Sequence, residues 1–175
     1  KVYKLRPGPL TLHLLPDPLD DPAKLPAGAP SVKLAAELTD FYLLVTNDPA
    51  NKVAPVRLKT INAGADQLKP GQMLWFNLTD NSVGGTLGSQ KLAIRPQSRL
   101  VIDPPALGNK DYLVNLSFRI PANDNLYPLC ETQWRHDPRS RSVAFIVAEQ
   151  GVRTPRVLVF PDFRAAKDDD KKDPE

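Results

Sequence analysis

The sequence is poor in the residues from which reactive and cross-linked sites are built: it has one cysteine, one methionine and two histidines. The lone Cys130 has no partner for an internal disulfide, which excludes a disulfide scaffold and a cysteine-rich metal site. No apolar run approaches the roughly 20 residues that a membrane-crossing helix needs. A glycine-rich phosphate loop is missing, as are a metal-spaced His or Cys pair and the basic-aromatic strand signature of RNA binders. The net charge of +3 is too small for a nucleic-acid face, so no nucleic-acid partner is expected. With 41% apolar and 25% charged residues, the chain nevertheless has the composition of a folding domain.

What the sequence has in excess is proline, 19 of 175 residues, about twice the usual share of roughly 5%. Proline fixes φ and cannot donate to a ladder, so such a chain is cut into short segments, and strands are favoured over long helices. The prolines at 49, 55, 70, 96, 104, 105, 121, 128, 138, 155 and 161 read as lying between apolar runs. Those runs are 10–14, 41–46, 55–61, 72–79, 91–94, 98–102, 111–118, 142–148 and 156–160. Eight or nine short strands is the count of a sandwich or barrel.

The turns carry their own signals. Lys69-Pro70-Gly71-Gln72 has proline and glycine at the central positions of a type II turn, which should launch the strand that follows. Gly84-Gly85 and Gly88 read as a flexible connection, Gly151 as the break between the last two strands, and 35–41 as room for a short helix. In 111–118 the residues Tyr112, Val114, Leu116 and Phe118 share one face against Leu113, Asn115 and Ser117, the pattern of a half-buried antiparallel strand. In 72–79, Leu74, Phe76 and Leu78 read as the core face, and Met73 and Trp75 as either a second buried layer or an exposed apolar patch.

The expected fold is all-β: a two-layer antiparallel sandwich of immunoglobulin-like or related topology. A proline-rich N-terminal arm with one edge strand, Leu10 to Leu14, covers 1–30, the sandwich 31–164 and a disordered charged tail 165–175. The start at Lys1 without methionine reads as a chain whose signal peptide has been removed, so a periplasmic or extracellular location is expected.

Candidate chemistry is sparse. His13, Met73, Cys130 and His136 make up the ligand inventory of a blue-copper site, but Met73 lies far upstream of Cys130 and nothing suitable follows His136. Asp17, Asp20 and Asp21 lack the spacing of a calcium loop, so neither metal nor cofactor is expected. The sequons Asn77-Leu78-Thr79 and Asn115-Leu116-Ser117 fall inside expected strands, where a glycan would disrupt packing. The segment from Trp134 to Arg141, with Arg135, His136, Asp137, Arg139 and Ser140, reads as an arginine-rich loop. It suits an anion or acidic partner better than a Ser-His-Asp triad, with Arg153 and Arg156 as possible neighbours.

The expected function is therefore not enzymatic. The chain reads as a binding or structural module of an exported bacterial envelope protein that holds a protein partner. Met73, Trp75, Trp134, Arg135, His136, Arg139 and Arg141 are the candidate contact residues. The alternative is a carbohydrate-binding module that stacks sugars on Trp75 or Trp134.

Overall fold

A computed structural model describes residues 4–6, 8–64, 67–122, 125–149 and 151–163, so the expected tail at 165–175 lies outside the described residues. The protein is all-β, with its sheets in a sandwich-like arrangement. Among the described residues no helix is long and apolar enough to cross a membrane. The chain divides into two compact units, Lys1–Gln67 and Leu68–Glu175.

The first unit holds two two-stranded antiparallel sheets. Strand β1 (Leu10–His13) pairs with β2 (Ser31–Leu34), and β3 (Phe41–Asn47) pairs with β4 (Val56–Asn62). The run at 10–14 is thus paired inside the first unit, and the expected helix at 35–41 is a turn leading into β3. Asn51 organises the β3–β4 connection, its Oδ1 accepting from the Val53 and Ala54 amides at 3.0 and 3.1 Å. Asp21 caps a single 3-10 turn, Pro22–Lys24, by accepting from the Ala23 amide.

The second unit is built from β5 (Met73–Asn77), β6 (Ser82–Leu87), β7 (Gln90–Ile94), β8 (Ser98–Ile102), β9 (Asp111–Arg119), β10 (Leu126–Arg135), β11 (Ser140–Glu149) and β12 (Val152–Phe163). They form two four-stranded sheets, ordered β10-β9-β6-β7 and β12-β11-β5-β8. All pairings are antiparallel except β5 with β11, so the second sheet is mixed and not purely antiparallel as expected. Register explains the core: Met73 and Trp75 share a face with Ile102, Ala144 and Ile146, and meet Val83, Leu87, Val114, Leu116 and Phe118 from the other sheet.

Two readings of the sequence are corrected here, and one left open is decided. Gly84-Gly85 is no connection but the middle of β6, a central strand paired on both sides. A Cβ on Gly85 would lie 2.0 Å from the Asn115 carbonyl oxygen, so close approach of the β9 backbone requires glycine there. Pro128, Pro155 and Pro161 lie inside strands, in β10 and β12, which are edge strands, the place in a sheet where proline is tolerated. Pro128 also sits at a register shift in β10, and bulge and prolines together blunt both edges against pairing with another chain. Finally, Met73 and Trp75, 3% and 0% exposed, belong to the core between the sheets, so of the two alternatives for this face the buried layer holds. Leu74 and Phe76, read as the core face, are buried on the opposite side of the same sheet.

Candidate functional site

The type II turn forms as its sequence dictates. The Gln72 amide donates to the Lys69 carbonyl at 3.1 Å, and Gly71 takes φ +80. The Gly71 amide then donates to the Ser140 carbonyl at 2.8 Å, tying the start of β5 to the start of β11. Because Gly71 lacks a Cβ, the His136 imidazole packs against the turn; an added Cβ would sit 3.4 Å from its Cε1. The His136 amide donates to the Lys110 carbonyl, and the residue is 6% exposed. Burial lowers its pKa, an effect that the charge of Asp137 only partly offsets, so the imidazole is neutral near pH 7.

The expected loop from Trp134 to Arg141 is half strand. Trp134 and Arg135 end β10, Ser140 and Arg141 begin β11, and the turn between them is short. Asp137 organises that turn, accepting from the Arg139 amide at 2.9 Å and from Arg139 Nε and Nη2 at 3.1 and 2.8 Å. The Arg139 hydrogen bond is the main reason that the Asp137 carboxyl is held down at about 2. Arg141 is no surface cation either. It is 5% exposed, its Nη2 donating to Asp162 at 2.8 Å and its Nη1 to the Leu68 carbonyl at 3.3 Å.

The two sheets meet unevenly along the side where β10 and β12 run next to each other. At one end Arg153 of β12 lies over the Tyr127 ring of β10, 4.0 Å from its centroid, and closes the seam. Arg153 is therefore not grouped with the 135–141 arginines. At the other end the seam opens into a cleft of about 370 Å³ walled by Trp134, Tyr112, Met73, Val159 and Pro161, with Gln133, Arg135 and Ser142 as its polar groups. A smaller cavity of about 100 Å³ continues from it toward His136 and Phe163. Half-buried Trp134 stacks on Trp75 with ring centroids 6.1 Å apart, and Tyr112 meets its edge at 6.3 Å. The Tyr112 hydroxyl donates to Met73 Sδ at 3.6 Å, and burial pushes its pKa up to about 12, so it stays protonated.

Of the residues picked from the sequence, Met73, Trp134, Arg135 and His136 line this connected space, and Trp75 lies one ring deeper with no exposed surface. Arg139 and Arg141 do not line it and are engaged by Asp137 and Asp162. Sequence reasoning missed Tyr112, Gln133, Ser142, Val159, Pro161 and Phe163. Their signal is register, for Tyr112 lies opposite Trp134, and Ser142 opposite both Met73 and Pro161.

The Ser140 hydroxyl donates to the Arg141 carbonyl, and the Asp137 carboxylate accepts from Arg139. Burial raises the Cys130 thiol pKa, which keeps it in its unreactive form. Among the described residues no three His, Cys, Asp or Glu gather as a metal group. Asn77 is fully buried, donating to the Asn81 and Arg95 carbonyls at 2.6 and 3.1 Å, whereas Asn115 lies on the exposed face of β9. No family model matches the chain, and no curated protein or solved structure is significantly similar to it.

Proposed function

We propose that the chain is a non-catalytic binding module of an exported envelope protein, and that it holds a segment of a protein partner in the cleft between β10 and β12. The observation that carries this reading is the convergence of an apolar wall, Trp134, Met73 and Val159, with exposed polar groups, Gln133 and Arg135, in one open space of about 370 Å³. An apolar floor with a polar rim is how protein interfaces are built, and the volume lies in the range of ligand-holding clefts, roughly 300–1,000 Å³. The engagement of Asp137 by Arg139 and of the Ser140 hydroxyl by a carbonyl supports the non-catalytic half of the reading. The two packed four-stranded sheets support an immunoglobulin-like or related topology, and export rests on the sequence alone.

A carbohydrate ligand is the second reading, favoured by half-buried Trp134 lining the cleft, with Gln133 and Arg135 among the residues that border it. Trp75, fully buried, offers no platform for it. Panning the full chain against a random peptide display library and a glycan array separates the two. Peptide binding lost on Trp134→Ala is the expected result. Glycan binding lost on the same substitution, with no peptide selected, replaces the first reading by the second, and binding to neither removes both.

A further inference from the structure

We infer that β3 is a docking edge for a second copy of this chain, the two β3 strands pairing antiparallel about a twofold axis at Leu43. β3 belongs to the first unit, and its pairing does not depend on what the cleft holds. An edge strand is a template for pairing with another chain, and proteins blunt such edges with proline, bulges, charged side chains or shortness. Among the described residues every other edge strand is blunted in one of these ways. β10 and β12 carry prolines, β2 carries Lys33, β4 Arg57 and Lys59, β7 Lys91 and β8 Arg99, and β1 is only four residues long. β3, Phe41–Asn47, is seven residues long and has neither a proline nor a charged side chain. It is hydrogen-bonded to β4 alone, and its Leu43 and Val45 are 39% and 44% exposed.

The ladder fixes which backbone groups this edge offers. Just beyond its two ends, the Ala63 amide donates to the Asp40 carbonyl at 3.0 Å and the Asp48 amide to the Pro55 carbonyl at 2.8 Å. Bonded and non-bonded pairs alternate in an antiparallel ladder, so the even-numbered residues of β3 bond to β4 and the odd-numbered ones turn their N–H and C=O away from it. Among the described residues, the outward groups of Phe41, Leu43 and Val45 meet no partner. A second β3 centred on Leu43 sets Leu43 against its own copy and Phe41 against Val45, with both backbone hydrogen bonds exchanged in each pair. The three side chains share one face, where an aromatic against a β-branched residue is a stabilising cross-strand pair and Leu43 loses its exposure to water. Asp40 then faces Thr46 of the second copy, whereas a register centred on Leu44 would set Asp40 against Asp48, two like charges. A two-stranded sheet is marginal alone, and this pairing makes it four-stranded, the size of both sheets in the second unit. The edge is thus its own complement, as a twofold interface requires.

Sedimentation velocity of the full chain over a concentration series tests this. One strand pair is a small interface, so the expected result is a reversible dimer whose average mass climbs with concentration toward that of two chains. Val45→Pro removes an outward N–H but none that serves the β3–β4 ladder, and should weaken the dimer about tenfold, the lost bond counting twice across the axis. Leu43→Lys sets two ammonium groups against each other and should weaken it at least as much. Leu113→Lys, on the outer face of β9, should leave it unchanged. A chain still monomeric at about 1 mM, where even weak pairs associate, overturns the proposal. A dimer indifferent to both β3 substitutions, or weakened equally at Leu113, overturns it as well. Display-library peptides that lose their affinity on Val45→Pro, with the chain itself monomeric, give the edge to a strand of another protein in place of a second copy. Unchanged far-ultraviolet circular dichroism of the variants separates a lost dimer from a lost fold, and Leu43→Lys, at an exposed side chain, carries the test where proline unfolds the hairpin.

Discussion

The two sheets of the second unit share one core but treat their outer faces differently. The outer face of β10-β9-β6-β7 is polar, with Asn115, Glu131 and Gln133 exposed and Leu113 at 71% exposure. The outer face of β12-β11-β5-β8 is apolar. Leu74, Phe76 and Val143 are only 3–4% exposed there, Phe76 stacks on Phe145 at 5.3 Å, and Phe145 meets the edge of Phe160 at 6.0 Å. The difference coincides with strand direction, because the mixed sheet carries the parallel β5–β11 pair, and parallel pairs are the ones usually buried on both faces. One sheet is a boundary with water, and the other is withdrawn from it on both sides along β5.

Substitutions on the two sheets put that contrast to work. The largest effect belongs to Trp75→Ala, which empties a fully buried site and should cost about 3–5 kcal/mol in urea unfolding. Phe76→Ala, on the outer face of the mixed sheet, should still cost about 3 kcal/mol, whereas Leu113→Ala on the outer face of the other should stay within about 0.5 kcal/mol. Equal costs at Phe76 and Leu113 would erase the distinction. Gly85→Ala, which drives a Cβ into the Asn115 carbonyl, should cost about 2 kcal/mol and weaken hydrogen-exchange protection along β6 and β9.

The smallest effect is a pH dependence. His136 has its pKa lowered in the folded chain from 6.5, so the unfolded chain binds more protons as pH falls through that value. Its contribution is present above pH 6.5 and is lost as pH drops toward the lowered folded pKa. The stability of His136→Gln should therefore fall less between pH 7 and 5 than that of the wild type.

The same contrast decides what could be read from the sequence. The polar-faced sheet is legible where its strands alternate, as in Tyr112, Val114, Leu116 and Phe118 of β9, all buried. In β5 every residue is buried, so alternation is lost, and local pattern cannot tell whether Trp75 or Phe76 faces the other sheet. Glycine misled at β6 because the close approach that needs Gly85 comes from β9, a strand distant in sequence. Proline misled at β10 and β12 because a strand's edge position is a property of the sheet. The type II turn at Lys69 to Gln72 was legible because its chemistry is local. For the cleft, the sequence pointed to Trp134, Arg135 and His136 by composition, but only register brings Tyr112, Ser142 and Pro161 to them.

The central claim is that one tryptophan is sealed between the sheets while the other faces an open cleft, and the chain's two tryptophans allow each to be observed alone. Acrylamide quenching of fluorescence in Trp134→Phe, which leaves Trp75, and in Trp75→Phe, which leaves Trp134, is the most direct measurement. Trp75 should resist the quencher and Trp134 should be quenched readily. Equal quenching of the two, or readier quenching of Trp75, would contradict both the core and the cleft described for this sandwich.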